Sequence, residues 1–135
     1  MAANKQVRFG PIQLGTTTTT NIFNPPTLTG GVNPPATSTA SYYIIRHIRV
    51  TNNTAGALQF ALWLGTTGIN TTAAAFAFAG IAAAGTLTNG VSVAANSYVD
   101  WYGVLRMDTA DFLVGGALTS AVGLNIEMEG EIGVL

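Results

Sequence analysis

Few residues in this sequence have the types and spacing needed for chemistry. His47 is the one histidine, and it lies between Arg46 and Arg49 in a run that is typical of a β-strand. A Ser–His–acid triad would need this imidazole. Its candidate partners are Ser92, Ser97, Asp100, Asp108 and Asp111. Because no nucleophile-elbow sequence is present and His47 falls in mid-strand, we interpret it as a packed or interface histidine.

Two sets of acidic residues are spaced closely enough to be considered as sites. Asp108 and Asp111 are three apart in a turn-forming segment, where Asp carboxylates commonly bond nearby backbone. Glu127, Glu129 and Glu131 alternate along one strand, but no fourth acid is near enough in sequence to complete a cation site. We therefore expect the two aspartates to stabilise a turn and the three glutamates to lie on a solvated strand face. The sequence predicts no enzyme, no cofactor and no metal.

The arginines and aromatic residues favour binding over catalysis. On a regular strand Arg46 and Arg49 would point to opposite faces. The even-numbered face is the more apolar, which predicts that Arg46 is partly buried beside a carboxylate such as Asp100, Asp108 or Asp111 and that Arg49 faces outward. Arg49 is then a candidate interface residue, with simple solvent exposure as the alternative. Trp63 is a candidate interface anchor, and sugar stacking by Trp63, Trp101 or Tyr102 is a weaker option.

Length and composition narrow the class of protein. The chain has 135 residues, enough for one domain, and only 8% of them are charged, against about 25% in a typical protein. The net charge of −1 excludes an electrostatic footprint for nucleic acid. Cysteine is absent, and no apolar run is long enough to cross a membrane as a helix. Either partners cover much of the surface, or uncharged Thr, Asn, Ser and Gly solvate it. We expect a homo-oligomer, with a trimer as the expected state.

The first part of the chain differs from the rest. Residues 15–41 carry no charge and contain a five-Thr run and two Pro pairs, which disfavour a helix. We therefore predict an extended N-terminal arm over residues 1–41 that lies on a neighbouring subunit, with a disordered tail as the alternative. The arm has apolar candidate interface residues, among them Phe9, Ile12, Ile22 and Phe23.

Residues 42–135 alternate with the period of two that marks β-strands. Leu124, Ile126 and Met128 alternate with Asn125 and Glu127, for example. The segments 42–50 and 58–64 flank a turn-rich loop and predict a hairpin, while the Ala-rich segment 73–84 is ambiguous between strand and irregular loop. Short strands with turns every ~8–12 residues predict an all-β fold, an antiparallel β-sandwich or jelly roll.

Three stretches together resemble a group of small tailed-bacteriophage virion proteins. They are IRHIRVTNNTAGALQFALWLGTTG, VSVAANSYVDWYGVLRMDTADFLVGGA and the closing EGEIGV, within about residues 44–134. The resemblance implies a non-enzymatic virion structural protein. A capsid decoration (cement) protein on the outer head shell, in contact with the major capsid protein, is the main expectation. A tail, neck or fibre-base structural component is the alternative, with carbohydrate binding as an option for it. Either would be made in the host cytoplasm and located in the virion, without membrane or nucleic-acid partners.

Overall fold

The computed structural model describes residues 5–15, 21–23, 41–65, 74–75, 90–108, 111–117 and 123–134. These residues form strands joined by turns and short irregular segments, and the prediction of an all-β fold is confirmed. The strands are β1 (Lys5–Gln13), β2 (Asn21–Phe23), β3 (Ser41–Asn52), β4 (Leu58–Gly65), β5 (Ala74–Ala75), β6 (Val91–Val93), β7 (Ser97–Met107), β8 (Phe112–Ala117) and β9 (Leu124–Val134). Within the described part of the chain, no helix is long and apolar enough to cross a membrane.

The strands belong to two antiparallel sheets. Sheet I has the order β1-β9-β3-β7. Sheet II has the order β2-β8-β4-β5, and β6 also pairs with β4. Every pairing is antiparallel, so the predicted strand direction is confirmed.

One hydrophobic cluster contains buried side chains from both sheets. Sheet I contributes Ile45, Ile48 and Ile126, and sheet II contributes Phe60 and Leu62. The alternation of β9 that the sequence predicted is confirmed, because its even-numbered residues from Leu124 to Met128 are fully buried. Burial of apolar area of this kind is the main force that holds such a fold together.

The N-terminal segment departs from the prediction of an arm. Residues 5–13 form β1, which pairs antiparallel with β9 at the edge of sheet I. Phe9 is buried and packs edge-on against Tyr43, with ring centroids 5.6 Å apart, and Leu14 is also buried. Val7 and Phe9 alternate with exposed Arg8, a short period of two that the sequence analysis overlooked. The arm prediction is therefore wrong for residues 5–13, and its segments 1–4, 16–20 and 24–40 lie outside the described residues.

The predicted hairpin between β3 and β4 is also wrong. β3 pairs with β7 and β9 in sheet I, whereas β4 pairs in sheet II, so the loop after β3 carries the chain from one sheet to the other. Asn52 explains the path of this loop. Its buried amide Nδ2 donates to the backbone oxygens of Gly56 (2.8 Å) and Val93 (3.0 Å), and its Oδ1 accepts from the backbone N–H of Thr54 (2.9 Å).

A β-bulge changes which side chains of β3 face the core. Tyr43 and Ile45 are buried before it, and Ile48 and Val50 are buried after it. The register with both neighbouring strands shifts between Ile45 and His47, so the alternation moves from odd to even positions at the bulge. A simple period of two could not predict this shift.

Sheet II has buried residues on both faces. Phe60 and Leu62 face the shared cluster, while Ala61 and Trp63 alternate with them on β4 and are also fully buried. Val114, the register partner of Trp63 on β8, is buried as well. In the ambiguous Ala-rich segment, residues 74–75 form the short strand β5, and the remainder lies outside the described residues.

Candidate functional site

The charged residues of the chain are concentrated on one sheet. Nine of the eleven lie on strands of sheet I. The other two, Asp108 and Asp111, belong to the turn between β7 and β8, and the five strands of sheet II contain none. The face of sheet I that points away from the hydrophobic cluster carries the charged side chains of this sheet that the structure describes, and we call it the outer face of sheet I.

His47, Arg49 and Asp100 form the best-connected charged cluster on this face. Arg49 Nε donates to Asp100 Oδ1 at 2.7 Å, and Arg49 Nη2 donates to Oδ2 at 2.9 Å. His47 Nε2 lies 2.8 Å from Asp100 Oδ1. Since an ionised carboxylate can only accept, Nε2 carries the proton in this contact. The three side chains come from the adjacent strands β3 and β7 and are brought together by their register.

The electrostatics of the cluster follow from these bonds. The bidentate Arg49 guanidinium, aided by His47, lowers the pKa of Asp100 from 3.8 to about 2, although partial burial opposes the shift. The same hydrogen bonds to Asp100 raise the pKa of Arg49. Bidentate Arg–carboxylate pairs fix geometry as well as charge, so the cluster holds its side chains in place on the sheet.

The cluster is built differently from a Ser–His–acid triad. His47 Nε2 bonds Asp100, and Nδ1 lies 3.7 Å from Glu129 Oε2. Both ring nitrogens therefore face carboxylates, whereas a general base needs one nitrogen turned to the nucleophile. The arrangement is suited to orienting side chains and to binding polar groups.

Two tyrosines lie over this cluster with much of their surface in solvent. The Tyr102 ring stacks on His47 with centroids 4.5 Å apart and planes at 8°, yet the residue is 70% exposed. The guanidinium carbon of Arg49 lies 4.2 Å from the centroid of the Tyr98 ring, and Tyr98 is 54% exposed. Each ring therefore has one partner at its face while the rest of its surface is available for contact.

A shallow groove of about 440 Å³ adjoins this cluster on the outer face of sheet I. Its charged lining comes from three neighbouring strands and comprises Arg8, Arg46, Glu129 and Glu131, together with His47. Arg46 Nε contacts Glu131 Oε1 at 3.2 Å. The groove thus presents two arginines and two glutamates.

The groove and the Tyr102 ring are parts of one row of side chains. Arg8 on β1 is the register partner of Glu129 on β9, Glu129 is the partner of His47 on β3, and His47 is the partner of Tyr102 on β7. The row crosses all four strands of sheet I. With strands ~4.8 Å apart, it spans about 14 Å.

The predictions for the two arginines of β3 have different outcomes. Arg49 faces outward as predicted, with 39% of its side chain exposed, but Arg49 and not Arg46 pairs with Asp100. Arg46 is not partly buried beside an aspartate, because its side chain is 50% exposed and contacts Glu131. The bulge at Arg46 is the reason, since it brings both arginines to the outer face.

The apolar candidate interface residues lie elsewhere than predicted. Phe9 and Trp63 are fully or almost fully buried, and Ile12 packs against the hydrophobic cluster, so these three contribute to the interior of the described fold. Ile22 and Phe23 belong to β2, which pairs with β8, and their side chains lie outside what the structure describes.

The two acidic sets lie in a turn and on a strand face, where the sequence predicted them. The Asp111 carboxylate accepts from the backbone N–H of Asp108 at 2.8 Å, and the N–H of Asp111 bonds the Asp108 carbonyl at 2.9 Å, which confirms the predicted turn. Glu127, Glu129 and Glu131 lie on the outer face of sheet I. Within the described residues, no group of three or more His, Cys, Asp or Glu side chains could hold a metal ion.

The sequence analysis missed the structural role of Asn52. This buried amide joins the loop after β3 to β6 and so ties sheet I to sheet II. Nearby, Asn96 adopts a left-handed backbone conformation (φ 49°) and its N–H bonds the Thr54 carbonyl at 3.0 Å; Asn tolerates that conformation better than most residues. The usable signal was an Asn at the end of an apolar strand, followed by Thr and Gly.

Comparison with known proteins assigns no family to this chain. No protein-family model matches the sequence, and no curated protein matches it.

Proposed function

We propose that this protein is a non-enzymatic structural component of a bacteriophage virion, and that its two sheets form a jelly-roll β-sandwich. The strand order supports the fold. With β5 set aside, the sheets read β1-β9-β3-β7 and β2-β8-β4-β6. The chain changes sheet at every step except from β4 to β6, as it does in an eight-stranded jelly roll.

The strand order is also the observation that carries the functional proposal. Double-sheet jelly rolls are common in viral capsid proteins and in lectins. A fold does not by itself determine a function, so the step to a virion also uses the sequence resemblance over residues 44–134. Both arguments point to a protein that binds neighbouring subunits.

The distribution of charge favours a permanent assembly. With 8% charged residues, and with those residues concentrated on sheet I, much of the molecule lacks the charge that keeps free proteins apart. A subunit of a particle tolerates this because neighbours cover its uncharged surface. We propose a homo-oligomer, a trimer in the first instance, that binds the major capsid protein as a decoration protein on the outer head shell.

The alternative is a tail, neck or fibre-base component. Exposed tyrosines beside charged side chains on the outer face of sheet I give this alternative its support, since such surfaces suit contact with another macromolecule. The two locations differ in copy number, with hundreds of copies per particle for a decoration protein and a handful to dozens for a tail or neck protein.

The test is to purify particles from the culture that expresses the gene and to measure the copies per particle by quantitative mass spectrometry. Hundreds of copies, with matching density on the head shell by electron microscopy, are the expected result. A few dozen copies would support the tail or neck alternative. Absence from particles in a culture where the protein is abundant would overturn the proposal.

A further inference from the structure

We propose that the free edge of β7 pairs antiparallel with the same strand of a second copy of this chain, so that two copies of sheet I form one continuous sheet. The inference goes beyond the proposed function, because a virion protein that lacks this contact would leave that function unchanged. It rests on the position of β7 in the sheet, on its apolar side chains and on the order of its charges.

β7 is an open edge of sheet I. It is 11 residues long and pairs with β3 on one side, and within the described part of the chain no strand pairs with its other side. The opposite edge strand, β1, has features that protect an edge, because Pro11 lacks an N–H and the register shifts between Phe9 and Ile12. β7 contains neither proline nor lysine. Its free backbone edge is therefore a template for another strand.

The apolar side chains of β7 favour a partner strand. Of the residues that the structure describes, the exposed large apolar ones are Tyr98, Tyr102 and Val104, and all three lie on the outer face of this strand. On the inner face, Val99 and Leu105 pack against the hydrophobic cluster but are only partly buried. A second strand beside β7 would therefore cover apolar surface on both faces of the sheet.

The order of side chains along β7 points to a second copy as the partner. In a two-fold antiparallel pair each residue meets one partner, and the same contact is made twice. With Gly103 on the axis, Asp100 lies opposite Arg106 of the second copy, and Tyr102 lies opposite its Val104. Opposite charges and apolar pairs are both favourable across strands. Both charged groups keep their bonds within the chain, since each has hydrogen-bonding capacity left.

Other registers match less well. An axis at Asp100 places this carboxylate opposite its own copy, and an axis at Val104 places Asp100 opposite Asp108. Like charges directly opposite each other are destabilising. An axis at Tyr102 leaves Asp100 opposite Val104, a charge against an apolar side chain. The axis at Gly103 therefore gives the best match of charge and apolar surface.

The inner face of β7 agrees with this register. Although the register between β7 and β3 shifts beside Arg46, every exposed residue of β7 is even-numbered, and the odd-numbered residues are partly or fully buried. The alternation of β7 thus continues across the proposed axis. On the inner face the axis pairs only apolar residues, Val99 with Met107 and Trp101 with Leu105.

This contact differs from the contacts of the proposed trimer. A two-fold pairing joins two copies, so it would link one trimer to the next. A single strand edge is a small contact beside the ~1,200–2,000 Å² that a stable interface buries. We therefore expect it to be weak between free oligomers and to form where neighbouring copies are held close together.

A disulfide can report the register because the chain has no cysteine. The experiment is to mix full-length Tyr102→Cys and Val104→Cys in equal amounts, to oxidise the mixture at high protein concentration and to identify the linked peptides by mass spectrometry. We expect links between positions 102 and 104 to exceed links between identical positions at least about fivefold. Identical positions would lie diagonally across the strands, ~7–8 Å apart, which is beyond the reach of a disulfide.

Two matched controls accompany this measurement. Gln6→Cys mixed with Arg8→Cys repeats the spacing at exposed positions of β1, and it should give links only in the proportions of random collision. Arg106→Glu, added to both cysteine variants, should lower the yield of the 102–104 link about fivefold, because it places a like charge opposite Asp100. Arg46→Glu changes an exposed arginine on the same face, outside the contact, and should leave the yield within about twofold.

The proposal is overturned if the 102–104 link is absent or forms only in the proportions of random collision. It is also overturned if the β1 pair gives the same excess, or if Arg106→Glu lowers the yield no more than Arg46→Glu. A link in purified particles from position 102 to a different protein, with none between copies of this chain, would assign the edge of β7 to that protein and overturn the proposal too.

Discussion

Sheet I and sheet II share the same alternation of side chains along their strands, but they differ in charge and in the burial of their two faces. Sheet I buries one face in the shared hydrophobic cluster and carries nine charged residues on its four strands. Sheet II contains no charged residue in its strands, and it has buried side chains on both faces, including Phe60 on one and Trp63 on the other.

The difference shows how a protein with so little charge can distribute it. The charges of sheet I pair across neighbouring strands, as Arg49 does with Asp100 and Arg46 with Glu131. Such pairs order the surface and keep it compatible with water and polar ligands, but add little stability when exposed. In the function we propose, the uncharged remainder of the molecule is the part that contacts other subunits.

The sharpest comparison of the two sheets is between Trp63 and Tyr102, aromatic residues that both point away from the shared cluster. Trp63→Ala should lower the free energy of unfolding by about 3–5 kcal/mol, because it removes a fully buried ring. Tyr102→Ala should lower it by less than about 1 kcal/mol, since it loses only the stack on an imidazole. Urea denaturation measures both, and similar losses would show that the sheets do not differ in this way.

The position of β1 in sheet I is tested by Phe9. Phe9→Ala should reduce stability by about 3–5 kcal/mol because its ring packs in the core against Tyr43. Arg8→Ala, on the exposed side of the same strand, should change it by less than about 0.5 kcal/mol. If thermal unfolding shows no loss for Phe9→Ala, residues 5–13 act as a detachable arm and do not belong to sheet I.

The connection between the sheets depends on Asn52. Asn52→Ala should lower the free energy of unfolding by about 2–4 kcal/mol, since it leaves the buried carbonyl of Val93 and the N–H of Thr54 without their partner. Its exposed neighbour provides the control, and Asn53→Ala should have an effect below about 0.5 kcal/mol. If Asn52→Ala and Asn53→Ala lower the free energy of unfolding equally in chemical denaturation, the Asn52 side chain does not hold the two sheets together.

A lower pH should reduce the stability of the fold through carboxylates of sheet I, because the strands of sheet II carry no charged residue. The pKa of Asp100 is about 2 in the folded protein against an ordinary 3.8, so its ionised form favours folding. This contribution is complete above about pH 4 and is lost as the pH falls through about 2. It should be on the order of 1 kcal/mol after solvent screening.

The measurement is the stability of the wild type minus that of Asp100→Asn, followed from pH 5 downwards. The difference should shrink below about pH 4 because the variant lacks the titrating carboxylate. A difference that stays constant with pH would show that the ion pair with Arg49 does not stabilise the fold.

Much of the fold could be predicted from the sequence because alternation is a local property. The strand from Leu124 to Val134 followed from the period of two in its apolar residues. The sheet assignment of β3 and β4 could not be predicted in the same way. A short turn-rich loop is compatible with a hairpin and with a crossover, and the choice depends on the long-range contact of Asn52 with Val93.

The candidate site was harder to predict because it depends on register. The sequence offered Asp100 as one of several candidate partners of His47 and of Arg46 but did not connect it with Arg49, and the cluster of the three follows from the pairing of β3 with β7. The bulge at Arg46 reversed the expected partners of the two arginines. The role of Arg8 was hidden as well, because β1 had been interpreted as part of an arm.

The most direct test of the division between a charged and an uncharged side is the salt dependence of self-association. We predict that the full-length protein forms its oligomer, a trimer in our proposal, and that sedimentation finds the same assembly from low salt to molar NaCl. Contacts between uncharged surfaces are insensitive to ionic screening, whereas charge pairs between subunits weaken as the Debye length falls to about 3 Å. Dissociation on adding salt, or a monomer at every concentration, would contradict the account.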